Sequence, residues 1–236
     1  MTAGGPILAI DTATTHAVVA LGTADGSLLE GRSWLAGYRH GEELLARLEA
    51  LLGDNGVRTA DLGGIAVGTG PGAFTGLRVG IATAKALAHA LGLPIVGIAT
   101  GSALLAAAAA SDAPGASGAL VLLQPAGAND RVLVRPGEPA RILPGGTDLD
   151  LRDGETLVAV DLAGRAPEAA VSLGLGATDG LAAALIAAAA SRLRTGDADD
   201  LARLVPEYVT LPRGVLRATL PDEGVELSGG STRPRP

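Results

Sequence analysis

The chain has 236 residues, of which 47% are hydrophobic, enough to build the core of one large domain or of two lobes. It contains no cysteine, which excludes disulfide bonds and thiolate chemistry. The net charge of −7 argues against a polypeptide that grips nucleic acid unaided, because it repels polyphosphate. The N-terminus lacks the regions of a signal peptide and no apolar run reaches about twenty residues, so we expect a soluble cytoplasmic protein without a membrane segment.

The first predicted elements are two short strands separated by a polar turn. Residues 7–10 form an apolar run, residues 16–21 resume it, and a third strand is expected at 27–35. Asp11 stands at the end of the first run. A carboxylate there can hold a hydrated magnesium ion near nucleotide phosphates, or it can serve only as a turn residue that accepts hydrogen bonds from nearby amides. The residues alone weigh these two interpretations equally.

An amphipathic helix is predicted over 41–52, and a glycine-rich turn follows a buried strand at 65–67. Thr75 stands where the N-cap of the next helix, 77–91, is expected. Backbone amides in such a turn can point at an anion, or the glycines only supply unusual dihedral angles. The shape of the turn alone favours the second interpretation.

Strands and helices alternate along the rest of the chain, which is typical of an α/β architecture. A flexible stretch at 111–118 marks a boundary between two lobes. The remaining predicted strands are 95–98, 119–123, 131–135 and 157–160, and the remaining predicted helices are 100–110, 167–173, 180–194 and 198–204.

The residues alone do not present a complete active site. The three histidines, His16, His40 and His89, are not spaced to share a metal, and without cysteine nothing indicates a zinc site. The glycine turn lacks the Lys-Ser/Thr ending of a P-loop and is not a GxGxxG dinucleotide fingerprint. We therefore expect the histidines to be surface or packing residues.

Three stretches of this sequence stand out together: ILAIDTAT at 7–14, GPGAFTGLRVG at 70–80 and PEYV at 206–209. They closely resemble the corresponding stretches of one known family, TsaB (also named YeaZ). HGEELL at 40–45 is also similar to the family's helix start, with Gly41 in place of a serine. The resemblance is strong over 7–105, weak in the middle and returns at 180–212. The family's Asp-Ala-Arg-Arg-like stretch has no counterpart near 123–131, which puts any role of that stretch in doubt for this chain.

The resemblance implies a two-lobed, actin-like and sugar-kinase-like ATPase fold (ASKHA), in which each lobe contains a ribonuclease-H-like sheet. We expect the first lobe at 1–110, a second, reduced lobe at 111–220 whose last helix returns toward the first, and a flexible tail at 221–236. In this family the ATP site is degenerate, so no cofactor is certain, although ATP or ADP with magnesium at an interface of the complex fits the fold. The residues expected to contact a nucleotide weakly are Asp11, Thr12, Gly70, Gly72 and Thr75.

The resemblance also implies a role and partners. The family is the dimerisation subunit of the bacterial machinery for threonylcarbamoyladenosine in tRNA, with a paralogous TsaD-type transferase and a TsaE-type ATPase as partners. A homodimer is expected when the chain is alone, and tRNA is expected to bind only through the complex. The alternative is an independent kinase or ATPase of the same fold, although no second set of phosphate and base groups is visible after residue 110.

A partner surface is predicted on two helices of the first lobe, 41–52 and 76–91. The leucines of the first helix cannot all be core if the second helix already covers the sheet, and small residues four apart on the second allow another backbone to approach. The alternative is that both helices only cover the sheet of their own chain. The residues predicted to contact a partner are Leu44, Leu48, Leu51, Leu52, Gly80, Ala84 and Ala88.

Overall fold

A computed structural model describes residues 4–36, 40–111, 116 and 118–209, without the side chains of 40–42. The first sheet contains β1 (Ile7–Asp11), β2 (His16–Gly22), β3 (Leu28–Leu35), β4 (Gly64–Gly70) and β5 (Ile95–Ala99), in the order β3-β2-β1-β4-β5. The second contains β6 (Ala119–Pro125), β7 (Arg131–Val134), β8 (Arg141–Leu143) and β9 (Glu155–Ala159), in the order β8-β7-β6-β9. The helices are α1 (His40–Asp54), α2 (Phe74–Leu91), α3 (Thr100–Ala110) and α4 (Glu168–Arg194).

The second sheet repeats the topology of the first. In each sheet a central strand, β1 or β6, pairs antiparallel with the strand that follows it and parallel with a later strand, β4 or β9. In β1, Asp11 pairs with Val18 of β2 and lies one residue beyond the last pair with β4. In β6, Gln124 pairs with Val132 of β7 and lies one residue beyond the last pair with β9. Gln124 therefore occupies in the second sheet the position of Asp11 in the first.

The chain is layered, and the alternation of side chains along β1 shows how. Leu8 and Ile10 point to one face of the first sheet and pack in a cluster with buried leucines of α1 and with residues of α2. Ile7 and Ala9 point to the other face, where α3 and α4 lie, and the same cluster includes Leu122 of the second sheet. The helices α3 and α4 therefore form a layer between the two sheets, and one apolar core joins both halves of the chain.

The prediction of separate helices at 167–173 and 180–194 is wrong, because α4 runs without a break through the glycines between them. These glycines permit close packing instead of ending the helix. A Cβ atom at Gly174 would overlap the carbonyl oxygen of Ala159 in β9, so glycine is required where the helix crosses the strand.

The helix predicted at 198–204 is also wrong, because only residues 201–203 form a turn and the rest of the segment is irregular. The segment lies along the outer edge of β5. The Asp199 amide donates to the Ile95 carbonyl (2.8 Å), and the Gly97 amide donates to Asp199 Oδ2 (2.7 Å). Hydrogen bonds to a strand edge have replaced those of a helix. The short strand β8 was not predicted, and the predicted boundary at 111–118 and the tail at 221–236 lie partly or wholly outside the described residues.

By length and composition, α4 is the one helix among the described residues that is apolar enough to cross a membrane. Half of its most apolar window is buried inside the protein, and the helix packs against strands of both sheets. Core helices of globular proteins pass the same test, so this is weak evidence for a membrane span. Its alanines and leucines are accounted for by the layer between the sheets.

Candidate functional site

Asp11 lies at the carboxyl end of β1, and none of its surface is exposed. Its Oδ1 accepts a hydrogen bond from the Ala13 amide (2.8 Å), and its Oδ2 accepts one from Thr100 Oγ1 (2.7 Å). The same Thr100 hydroxyl accepts a hydrogen bond from the Gly70 amide (3.1 Å). A continuous chain of hydrogen bonds thus joins the first hairpin, the end of β4 and the start of α3.

The Asp11 carboxylate also lies against the backbone of β4. A Cβ atom at Gly68 would overlap Asp11 Oδ2, and it would come within 2.8 Å of Thr100 Oγ1. Glycine at position 68 is therefore required by the approach of the carboxylate, in addition to any effect on the turn. This role could not be assigned from the sequence, because Asp11 and Gly68 meet only when β1 pairs with β4.

Burial raises the pKa of the Asp11 carboxyl from 3.8 to about 6, although the hydrogen bonds from Ala13 and Thr100 lower it. Desolvation therefore outweighs two good hydrogen bonds. The carboxylate has no compensating cation among the groups that hold it, which are an amide and a hydroxyl. A buried carboxylate in this environment is better suited to fixing the turn than to attracting a ligand.

The glycine turn is closed by contacts with the first hairpin. The Ala73 amide donates to the Ala13 carbonyl (2.7 Å), and Thr12 Oγ1 donates to the Gly76 carbonyl (2.7 Å). A Cβ atom at Gly72 would overlap the Ala13 carbonyl oxygen. The amides at Gly70 and Ala73 that could have faced an anion are therefore used within the protein.

These contacts do not fit a nucleotide–magnesium site. Asp11 and Thr12 are 0% and 1% exposed, and each is bonded to the chain itself. Thr75 is exposed but does not cap the helix as predicted, because α2 begins one residue earlier, at Phe74, with Ala73 in the N-cap position. Among the described residues there is also no group of three or more His, Asp or Glu side chains that could hold a metal ion. The turn interpretation of Asp11 is the one supported by the geometry.

The predicted side-by-side arrangement of the two first-lobe helices is present, since α1 and α2 contact each other on one face of the sheet. The premise that α2 alone covers the sheet is wrong. The helix α1 packs over β2 and α2 packs over β4, so the inner faces of both helices are needed to cover this side of the sheet. A Cβ atom at Gly80 would overlap Thr12 Oγ1. The residues predicted to contact a partner are buried in this chain's own core: Leu44, Leu48, Leu51, Leu52, Gly80, Ala84 and Ala88.

The outer faces of the same helices combine small and apolar side chains with exposed charged ones such as Glu49 and Arg78. Leu45, unlike the other leucines of α1, is 60% exposed. The other exposed small residues are Ala46, Ala50 and Gly53 on α1 and Ala82, Ala86 and Ala90 on α2. A partner that approached these helices would meet this outer set.

Two of the family-like phrases, far apart in the sequence, meet at the start of α2. The Arg78 guanidinium carbon lies 3.8 Å from the centroid of the Phe74 ring, and Arg78 Nε donates to the Tyr208 hydroxyl (3.0 Å). The rings of Phe74 and Tyr208 are 5.1 Å apart, and the Glu207 amide donates to the Thr69 carbonyl (2.8 Å). The late phrase therefore fastens the end of the described chain to the glycine turn.

The sequence did not indicate that two further residues contact the first hairpin, Thr100 and Asp161. Thr100 follows β5 directly, and a polar residue at the carboxyl end of a parallel strand was the signal available. Asp161 follows β9 in the second sheet, and its Oδ2 accepts a hydrogen bond from the Thr15 amide (2.7 Å). No spacing rule connects residues 146 positions apart, so this contact required the structure.

Comparison with known proteins gives a consistent assignment. A family model described as TsaD, tRNA N6-adenosine threonylcarbamoyltransferase, matches residues 34–166. TsaB of Escherichia coli, a tRNA threonylcarbamoyladenosine biosynthesis protein, is 39% identical over 94 residues, which are 40% of each chain. A tRNA N6-adenosine threonylcarbamoyltransferase of Geotalea uraniireducens is 47% identical over 64 residues, 27% of this chain and 19% of that protein. The matched region spans less than half the length of the curated relatives.

The solved structure of YeaZ from Pseudomonas aeruginosa matches 87% of this chain and 100% of its own, with a TM-score of 0.65 and 25% identity. The architecture is accordingly the two-lobed, actin-like and sugar-kinase-like α/β fold, with a ribonuclease-H-like sheet in each lobe. The family model covers more than half of the chain, and the TsaB and YeaZ matches agree with the phrases brought together at the start of α2. The chain therefore belongs to the TsaB/YeaZ group within the wider family of TsaD-like proteins.

Proposed function

We propose that this chain is a non-catalytic subunit that supports a TsaD-type transferase in the biosynthesis of tRNA threonylcarbamoyladenosine. The observation that carries the proposal is the closed Asp11 site in a member of the TsaB/YeaZ group. A catalyst of this fold needs an accessible carboxylate to place metal and phosphate, whereas Asp11 is fully buried and bonded to Ala13 and Thr100. The second-sheet equivalent of Asp11 is Gln124, an amide that cannot act as a base.

The proposed contact with the transferase uses the outer faces of α1 and α2. These faces expose Leu45 together with alanines such as Ala46 and Ala86, which allow a partner helix to approach closely. The likeness to transferase sequences supports a partner with related helices, and related chains pair readily through equivalent surfaces. A homodimer through the same faces is the proposed state when the partner is absent.

Substitution of Ala86 by arginine tests this surface, because Ala86 is exposed on α2 and a bulky charge there would disrupt a close-packed interface. We expect Ala86→Arg to weaken binding to the transferase at least about a hundredfold while the chain stays folded. Ala183→Arg, at an exposed alanine of α4 on the other side of the first sheet, is the matched control and should bind normally. Equal affinities for both variants, measured by calorimetry, would place the interface elsewhere.

Substitutions at Ala84 or Ala88 would not serve this purpose. Both side chains are at most 1% exposed in the core, so a charge there would unfold the chain and lose binding for a trivial reason. In this scheme the TsaE-type ATPase is a further partner, and tRNA binds only to the assembled complex. A kinase or ATPase activity of this chain alone finds no support in its geometry, and we expect the isolated chain to hydrolyse ATP negligibly. Robust hydrolysis that is lost in Asp11→Ala would contradict this expectation.

A further inference from the structure

The two sheets are joined at their carboxyl ends by a pair of exposed or half-buried polar residues. Thr15 lies in the turn between β1 and β2, and Asp161 lies just beyond β9. The Thr15 amide donates to Asp161 Oδ2 (2.7 Å), and Thr15 Oγ1 donates to Asp161 Oδ1 (2.5 Å). Thr15 of the first lobe thus donates hydrogen bonds to both carboxylate oxygens of Asp161 in the second lobe.

The backbone at Asp161 supports a specific role for this pair. Its φ angle is 58°, and among the described residues it is the one non-glycine residue with a positive φ. That conformation costs about 1 kcal/mol in an L-residue, although Asp tolerates it better than most. The Asp161 carbonyl also accepts a hydrogen bond from Arg165 Nη2 (3.2 Å). The chain holds Asp161 in an unfavourable conformation that aims its carboxylate at the other lobe.

The pair is connected to the start of α2 through the same turn. Thr12 Oγ1 bonds the Gly76 carbonyl, and the Ala13 carbonyl accepts from the Ala73 amide. Movement of the second lobe at Asp161 would therefore pull on the turn that anchors the first residues of α2. The apolar layer of α3 and α4 joins the middle of the two sheets, whereas hydrogen bonds join their carboxyl ends.

We propose that Thr15 and Asp161 form an inter-lobe latch that holds the carboxyl ends of the two sheets together. Open α/β sheets take ligands at these ends, so a latch there keeps the lobes closed and makes the chain a rigid body. Without the latch, the apolar layer of α3 and α4 would still hold the two sheets together, but their carboxyl ends could move further apart.

The absence of cysteine allows a direct test with two spin labels, on Thr75→Cys in the first lobe and Ala128→Cys in the β6–β7 turn, both exposed sites. Asp161→Gly removes both hydrogen bonds and also relieves the positive φ, so it tests the latch without adding strain. We expect it to widen the distribution of label distances at least about twofold and to speed amide exchange at Thr15 about tenfold. Thr15→Val removes only the hydroxyl and should give a smaller change of the same kind.

Three controls separate a latch from a local bond. Asp161→Asn keeps an oxygen that can accept from the Thr15 amide, and its NH2 group can donate to the Thr15 hydroxyl, which then acts as the acceptor. Thr15→Ser keeps the hydroxyl. Both variants should therefore keep the narrow distance distribution. Thr23→Val removes a comparable Thr–Asp hydrogen bond within the β2–β3 turn of one lobe and should also leave it unchanged. If Asp161→Gly speeds exchange at Thr15 but leaves the label distances as they were, the pair is a local contact and the latch is refuted. Unchanged values of both quantities would refute it equally.

Discussion

At the scale of single residues, Asp11 shows how a polar residue at a strand end can serve a fold instead of a ligand. Its two oxygens accept hydrogen bonds from Ala13 and Thr100, and the backbone of Gly68 closes the third side. The carboxylate therefore ties together segments that are up to 89 residues apart. The cost is an ionised group in a dry environment, and this cost can be measured.

The first prediction concerns pH. Burial raises the pKa of Asp11 in the folded chain to about 6, above the ordinary value of 3.8 expected when the chain is unfolded. The folded state therefore favours the protonated form, so this contribution to stability is fully present below pH 3.8 and is lost as the pH rises through 6. The difference corresponds to a loss of about 3 kcal/mol in the free energy of unfolding.

Asp11→Asn is neutral throughout and should flatten the stability curve between about pH 4 and pH 7, as measured by urea unfolding. Asp148→Asn, at an exposed aspartate, is the control that should leave the curve unchanged. A wild-type curve with no decline in this range relative to Asp11→Asn would show that the carboxyl is not desolvated as described.

The second prediction concerns Gly68. Gly68→Ala would place a methyl group against Asp11 Oδ2, so we expect a loss of about 2–3 kcal/mol in the free energy of unfolding. Gly53→Ala in α1, where a Cβ atom meets nothing within 4 Å, should instead be neutral or stabilise by about 0.5–1 kcal/mol. Combining Gly68→Ala with Asp11→Ala should recover part of the loss. If the losses of the two single variants simply add in the double variant, the Gly68→Ala methyl group does not overlap Asp11.

The position of Asp11 at a strand end was predictable from the sequence, but its closure was not. An apolar run followed by Asp is a local pattern, and the predicted strands around it are confirmed within a residue or two. Thr100 and Gly68 reach the carboxylate only through the parallel pairing of β1, β4 and β5. Those distant neighbours decide between the two interpretations of Asp11, a magnesium ligand or a turn residue.

At the scale of elements, the glycines of α4 were misread as breaks because propensity and packing give opposite signals. Gly174 and Gly176 each lower helix propensity, but they lie on different faces of one continuous helix. Gly174 is buried against β9, whereas a Cβ atom added at Gly176 would lie 3.9 Å from the Ser111 hydroxyl oxygen, which is an ordinary contact. A sequence pattern cannot reveal which glycine faces another backbone.

The third prediction uses these two glycines as a matched pair. Gly174→Ala should destabilise the chain by at least about 2 kcal/mol, because its methyl group would overlap the Ala159 carbonyl oxygen. Gly176→Ala should stabilise it by about 0.5–1 kcal/mol through helix propensity alone. Thermal unfolding of both variants distinguishes the effects, and a similar shift for both would contradict the close crossing of α4 and β9.

The helices α1 and α2 show a related limit. Leucine spacing located the buried face of α1, yet the small residues of α2 occur on both its inner and outer faces. The inner line, which includes Ala84, packs on the sheet, while an outer line, which includes Ala86, is exposed. Periodicity alone could not tell which line faces the core and which faces outward.

At the scale of the whole molecule, the net charge sets the expectation for RNA binding. The chain carries 25 acidic and 18 basic side chains, so its net charge of −7 opposes polyphosphate. We predict that the isolated chain binds tRNA weakly at physiological salt, with any binding falling steeply as salt rises. A filter-binding measurement tests this, and tight, saturable binding by the chain alone would contradict it.

The central claim is that this chain supports a transferase without performing chemistry itself. Its most direct test is the rate of threonylcarbamoyladenosine formation in tRNA by a TsaD-type transferase and a TsaE-type ATPase, with and without this chain. We predict that modification requires the chain, is retained with Asp11→Asn, and falls at least about tenfold with Ala86→Arg at subsaturating chain. Modification that proceeds without the chain, or that Asp11→Asn abolishes while Ala86→Arg leaves it intact, would contradict this account.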